Sequence, residues 1–251
     1  MKYDLENINA RFGIGSQKWQ EMKNNPLVDE KVIPFSVADM EFKLAPEITE
    51  GLKKFIDDNI LGYAGTNKKY RENVCKWQQK HHDFTVDEKW LVETHSVVNA
   101  FFTAVKAFTQ KGDGVMLFTP VYYPMYKAIE INQRKLVEIP LINNGMTYDI
   151  DWDLFTKKAK AIDTKMLILC SPHNPCGRIW TREELTKISE ICLVNDILVV
   201  ADEIHADLIM PGFKHVSYGT ISKEALEHSI ICTAPSKTFN LAGMQLSNVF
   251  I

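Results

Sequence analysis

MLILCSPHNPCGRIWTREELTKISEICLVNDILVVADEIHADL, residues 166–208, carries the fold in one stretch. It opens on an apolar run, 166–170, and a second run, 197–201, follows one helix length later. Runs this short and this continuously apolar read as strands buried on both faces. Between them, Thr181 and Glu184 have the spacing of a capping box, in which each satisfies an end amide of the other. Leu185, Ile188, Ile191 and Cys192 then fall on one buried helical stripe. Strand, helix, strand in this order is the repeating unit of a mostly parallel sheet with helices packed on it.

Working outward, the same alternation starts near Val97 and runs to the end of the chain. Further strands are expected at 114–118, 135–139, 230–233 and 246–251, and a helix at 99–110 ended by Gly112. Upstream, 45–59 and 69–84 read as two amphipathic helices around the turn LGYAG, 61–65. The expected organisation is an N-terminal arm and helical edge, 1–95, followed by an α/β domain, 96–251, with a mostly parallel mixed sheet flanked by helices. LSNVFI, 246–251, places a candidate strand at the end with no helix to cover it, so the sequence is expected to stop short of a further, C-terminal domain.

The composition, 45% hydrophobic and 24% charged over 251 residues, supports a sizeable buried core. A formal net charge of -3 provides no basic footprint for nucleic acid or an anionic membrane, and a small-molecule substrate is expected instead. No stretch approaches the ~18 apolar residues of a spanning helix. Five cysteines form no CxxC pair, which argues against a disulfide framework or a zinc site, and a cytoplasmic setting is expected. Gly13-Ile14-Gly15 lacks the preceding strand of a nucleotide site, and His81-His82 reads as a solvated pair, not a metal site.

Three segments carry chemistry. In ICTAPSKTFNLAG, 231–243, a β-branched run delivers Ser236 and Lys237 at a strand end, where open α/β sheets bind ligands. In LVVADEIHADL, 198–208, Asp202 follows four apolar residues, and a carboxylate buried there is costly without a cationic partner. A protonated pyridine nitrogen is such a partner, and a helix N-cap is the plainer role for an aspartate. His205, three residues on, can reach a phenolic oxygen of the same ring. In CSPHNPCGR, 170–178, two prolines and a glycine impose a rigid loop, and Asn174 within it has both donor and acceptor.

In this order the three segments resemble the aminotransferase class I/II superfamily of fold-type-I enzymes dependent on pyridoxal 5'-phosphate (PLP). PFSVADMEF (34–42), LGYAG (61–65), ADEIHADL (201–208) and SKTFNLAG (236–243) further resemble its MalY/PatB subfamily of cystathionine β-lyase-like C–S lyases. Aminotransferases of the superfamily usually have tyrosine where His205 stands. The resemblance implies that Lys237 is the catalytic lysine holding PLP as a Schiff base, with Asn174, Asp202 and His205 as cofactor contacts. It implies ring stacking by Tyr122, with Tyr123 as the alternative. Phosphate is implied at Ser96, Val97 and Val98, where free helix amides favour an anion, and at Ser236. Tyr63 matches a tyrosine that reaches the partner subunit's site, so a homodimer is implied.

Two departures stand out. Gln245 occupies the place of a phosphate-binding arginine, and the domain that supplies the carboxylate-clamping arginine in the family lies outside these residues; Arg178 is not assigned that role. The activity implied is α,β-elimination of cystathionine- or cysteine-type amino acids to thiol, pyruvate and ammonia, in methionine biosynthesis. An aminotransferase, or a non-catalytic regulatory protein on the same scaffold, is the alternative, because fold does not fix function.

Overall fold

The computed structural model describes residues 3–28 and 32–251. Among these, the strands are β1 (Leu91–Thr94), β2 (Gly114–Thr119), β3 (Lys135–Pro140), β4 (Ile142–Asn143), β5 (Tyr148–Asp149), β6 (Thr164–Cys170), β7 (Leu198–Asp202), β8 (Ser229–Thr233) and β9 (Ser247–Phe250). The helices are α1 (Gln17–Lys23), α2 (Pro46–Asp58), α3 (Lys68–His82), α4 (Val97–Phe108), α5 (Tyr123–Ile131), α6 (Trp152–Ala159), α7 (Arg182–Val194), α8 (Lys223–Glu227) and α9 (Pro235–Thr238).

Seven strands form one sheet in the order β1-β9-β8-β7-β6-β2-β3, and β4 pairs with β5 in a separate hairpin. The pairs from β3 through β8 are parallel, whereas β9 is antiparallel to both β8 and β1. The expected mostly parallel mixed sheet is therefore present, with β9 alone reversed. Its central strands are buried on both faces, and the pleat sorts their side chains between two cores. Val115 and Leu117 of β2 pack with Phe101 and Val105 of α4 and Met125 and Ile129 of α5. Met116 and Phe118 pack with Phe155 of α6 and Leu185 and Ile188 of α7 on the other side.

The strand order explains this division. The chain steps from β2 outward to β3 through α5, then returns past β2 to β6 and proceeds through α7 to β7 in the opposite direction. Right-handed crossovers in opposite directions place their helices on opposite faces. The reversal lies between β2 and β6, and the crevice outside their carboxyl ends is where such sheets bind ligands.

Several boundaries differ from the sequence expectation. Helix α4 starts at Val97, earlier than 99, because the Ser96 hydroxyl accepts the Asn99 amide at 3.0 Å and caps the first turn. Strand β7 ends on Asp202 itself, so the carboxylate belongs to the sheet edge. The sequence pattern does not show β1, β4, β5, α1, α5, α6, α8 or α9. The capping box is present: the Glu184 amide donates to Thr181 Oγ1 at 3.1 Å and the Thr181 amide to Glu184 Oε2 at 2.7 Å.

Candidate active site

The carboxyl ends of β2, β6, β7 and β8, the end of β1 and the start of β9 all open onto one cleft of about 820 Å³. Lys237, Asp202, Asn174, His205, Tyr122, Ser236, Ser96, Val97 and Val98 all line it. Tyr63 does not; it is fully exposed outside the cleft.

Lys237 sits in the single turn α9, directly after the strand that delivers it. Its Nζ donates to the Ala38 carbonyl at 2.9 Å. Burial pushes the amine below the usual lysine range, against the pull of Asp39 and Asp202. Asp202 lies between Cys170 and Cys232 in register and is only 4% exposed. The Ile204 amide donates to its Oδ1 at 3.2 Å, and Asp202 forms no ion pair among the described residues. Burial raises its pKa from 3.8 to about 7, more than Lys237 and the Ile204 amide offset. The half-buried His205 is pushed down by burial, then by Lys237, so its imidazole is held neutral.

Asn174 is presented by a heavily tethered loop. Its amide meets Cys170 Sγ at 3.3 Å, and the His173 amide donates to the Arg178 carbonyl at 2.7 Å. His173 Nε2 bonds the Pro120 carbonyl at 2.8 Å, joining the loops after β2 and β6. Arg178 donates to the Tyr148 carbonyl at 2.9 Å and pairs with Glu184, so it is committed to the scaffold and does not line the cleft. Tyr122 caps α5 and is half-buried, whereas Tyr123 beside it is exposed. At the start of α4, the amides of Val97 and Val98 have no intrahelical acceptor, as first-turn amides never do. Free first-turn amides and the helix dipole favour negative charge, and here they face the cleft wall. Gln245 also lines the cleft, in a left-handed backbone conformation with φ 51°.

The sequence reading assigned no role to three residues that hold this arrangement. Asn240 accepts from the Met40 amide at 3.0 Å and donates to the Met40 and Phe42 carbonyls at 3.0 and 3.3 Å. It thereby straps the 38–42 segment over the lysine turn. Glu41 anchors that segment from below, buried against Arg11, Lys18 and the Trp19 indole. Asp207 accepts from Trp77, His82 and Thr238. The signal for each was a polar residue inside a quoted segment, but its partner lies far away in sequence.

This constellation combines an amine with lowered proton affinity, a buried carboxylate with no ion pair among the described residues, an aromatic face and the free amides of a helix start. The family model for aminotransferase class I and II matches residues 30–251. The chain is 40% identical over 241 residues to cystathionine beta-lyase PatB of Bacillus subtilis (strain 168), covering 96% of this chain and 62% of that protein. Among solved structures it is similar to cystalysin from Treponema denticola, which contains a pyridoxal 5'-phosphate cofactor, with TM-score 0.98, 46% identity and coverage of 100% and 64%. It is also similar to the PLP-bound C–S lyase from Staphylococcus hominis, with TM-score 0.91, 30% identity and coverage of 100% and 63%. The chain thus spans under two thirds of the length of each of these proteins. The match over nearly all of its residues shows that the chain belongs to the aminotransferase class I and II family.

Proposed function

We propose that the cleft binds PLP on Lys237 and that the whole protein is a C–S β-lyase acting on cystathionine- or cysteine-type amino acids. The observation that carries this reading is Asp202, a carboxylate buried at the sheet edge with no ion pair among the described residues. Such a group favours its neutral form until a cation lies beside it, and a protonated pyridine nitrogen is a cation of the right kind. The remaining groups fit the rest of that cofactor. The Val97 and Val98 amides with the Ser96 and Ser236 hydroxyls suit its phosphate, the Tyr122 ring offers a stacking face, and Asn174 and His205 suit its phenolic oxygen.

When bound, PLP supplies an aldehyde for amines and a ring that accepts electrons from a substrate carbon. Lys237 has two tasks. Its amine would hold the aldehyde, and with a substrate amino group in that place the freed amine would serve as the base for the Cα proton. The lowered proton affinity of Lys237 raises the fraction available as base, and the Ala38 carbonyl gives the free amine a fixed resting place. Asp202 would hold the proton of the ring nitrogen. His205, neutral through burial, donates or accepts a hydrogen bond without adding charge. Departure of a thiolate from Cβ, with one water consumed, leaves thiol, pyruvate and ammonia. The residues of the cleft serve amino transfer equally well; the lyase reading is supported by the relatives named as cystathionine β-lyase and C–S lyase.

The working unit in this reading is a homodimer in the cytoplasm, serving methionine synthesis, with Tyr63 reaching the partner's cleft. Supporting this, Tyr63 lies outside its own cleft beside exposed Ile60 and Leu61, and α2 buries none of its side chains. No helix among the described residues is long and apolar enough to cross a membrane. The test is turnover of L-cystathionine by the whole protein with PLP and no keto acid. The reading expects pyruvate, ammonia and free thiol in equal amounts over many cycles. Arrest after one cycle, relieved by a 2-oxo acid and without thiol release, would install the aminotransferase instead.

A further inference from the structure

The turn that follows Asp202 is closed by two backbone hydrogen bonds, from Ala206 to Glu203 and from Leu208 to His205, each at 3.0 Å. Whatever fixes Asp207 therefore also fixes His205. The Asp207 carboxylate gathers donors from two other elements. On α3, His82 Nε2 lies at 2.8 Å, and Trp77 Nε1 lies at 3.2 and 3.3 Å from its two oxygens. On α9, Thr238 Oγ1 donates at 2.6 Å. Thr238 directly follows Lys237 in the chain.

Packing from the α3 side is incomplete: Trp77 meets the Phe239 ring edge-on at 5.2 Å, and space remains beside them. A cavity of about 190 Å³ lies against Asp207 there, walled by Trp77, Phe239 and Ala234. A turn with a void on one flank is held by its hydrogen bonds, and bonds to a charged acceptor are the stronger kind. Burial works against ionisation of Asp207, but the bonds from His82, Thr238 and Trp77 outweigh it and hold its pKa below the usual carboxylate range.

We infer that Asp207 is a positioning residue: acting through Thr238, it sets where Lys237 presents its amine relative to Asp202 and His205. This rests on the proposed cofactor reading, and it adds a residue that touches neither cofactor nor substrate. Thr238 is the link, so its hydroxyl carries the effect and its methyl group does not.

The test compares wild type, Asp207→Asn, Thr238→Val, Thr238→Ser and Trp77→Phe in the full chain, without turnover. Two quantities are read: the dissociation constant for PLP by absorbance titration, and the visible circular dichroism per bound cofactor, which reports how asymmetrically the lysine-linked group is held. Thr238→Val and Asp207→Asn are expected to weaken PLP binding about tenfold and to reduce the dichroism by more than about half. Thr238→Ser, which keeps the hydroxyl, is expected to restore both to within about twofold of wild type. Trp77→Phe removes the Nε1 contacts to Asp207 and part of the ring packing on His81 and Phe239, and is expected to lower the melting temperature with a smaller loss of dichroism than Thr238→Val. Wild-type binding and dichroism in Thr238→Val would overturn the inference, as would a Thr238→Ser protein as impaired as the valine variant. Loss of dichroism in Trp77→Phe equal to that in Thr238→Val would also overturn it, by showing a merely structural role. Failure of the wild type to bind PLP would remove the cofactor reading itself and the inference with it.

Discussion

Asp202→Asn isolates one buried charge from the rest of the fold. Burial raises the Asp202 pKa from 3.8 to about 7, roughly three powers of ten in proton affinity at about 1.36 kcal/mol each, so the ceiling on the cost of its charge is about 4 kcal/mol. The carboxylate borders an open cleft whose water screens it, and about 2 kcal/mol is the expected effect. The folded-state pKa lies above the unfolded one, so the stability tied to this proton is complete below pH 3.8 and is lost as pH rises through about 7. Asparagine carries no charge at any of these pH values. Without cofactor, the variant should therefore match wild type near pH 4 and exceed it by about 2 kcal/mol near pH 8. Urea unfolding of both full chains, followed by tryptophan fluorescence across that range, measures this, and taking the difference cancels every other titration. With PLP added, the order should reverse, because an amide offers the ring nitrogen no negative charge. A variant less stable than wild type near pH 8 without cofactor, or a difference that stays flat with pH, would refute the reasoning.

Gly219→Ala would set a new Cβ 2.5 Å from the buried Phe84 ring, and overpacking of that kind should cost about 1–3 kcal/mol in urea unfolding. Ser96→Ala removes the cap on the Asn99 amide. About 1 kcal/mol of stability should go with it, and PLP binding, measured by titration, should weaken as well. Tyr122→Ala removes the stacking face, so the dissociation constant for PLP should rise roughly two- to tenfold, and because the ring also packs against the α4–α5 core, urea unfolding of the cofactor-free chain should show a loss of stability as well.

The sheet was legible because its strands are buried on both faces. A run such as Val199 to Ala201 has nowhere to be but a strand core, and Thr181 with Glu184 marks a helix start without tertiary help. The same logic failed where local pattern is mixed. Strand β1, LVET, is short and only partly buried, and it is defined by pairing with β9 more than 150 residues away. Helix α5 begins on two tyrosines and a proline that read as a loop, because Pro124 fits a first turn as easily as a bend. In the site, Lys237, Asp202 and Asn174 were readable because each stands at or within four residues of the end of an apolar strand, and a polar residue there needs a reason. Asn240, Glu41 and Asp207 were not, since their roles exist only through contacts with segments brought together by the fold.

The most direct test of the central claim is to load the full chain with PLP, reduce it with borohydride and map the modified peptide by mass spectrometry. The pyridoxyl group should appear on the peptide containing Lys237 and nowhere else, and Lys237→Ala should carry none. Reduction onto any other lysine, or a visible, borohydride-sensitive band that survives in Lys237→Ala, would contradict the account.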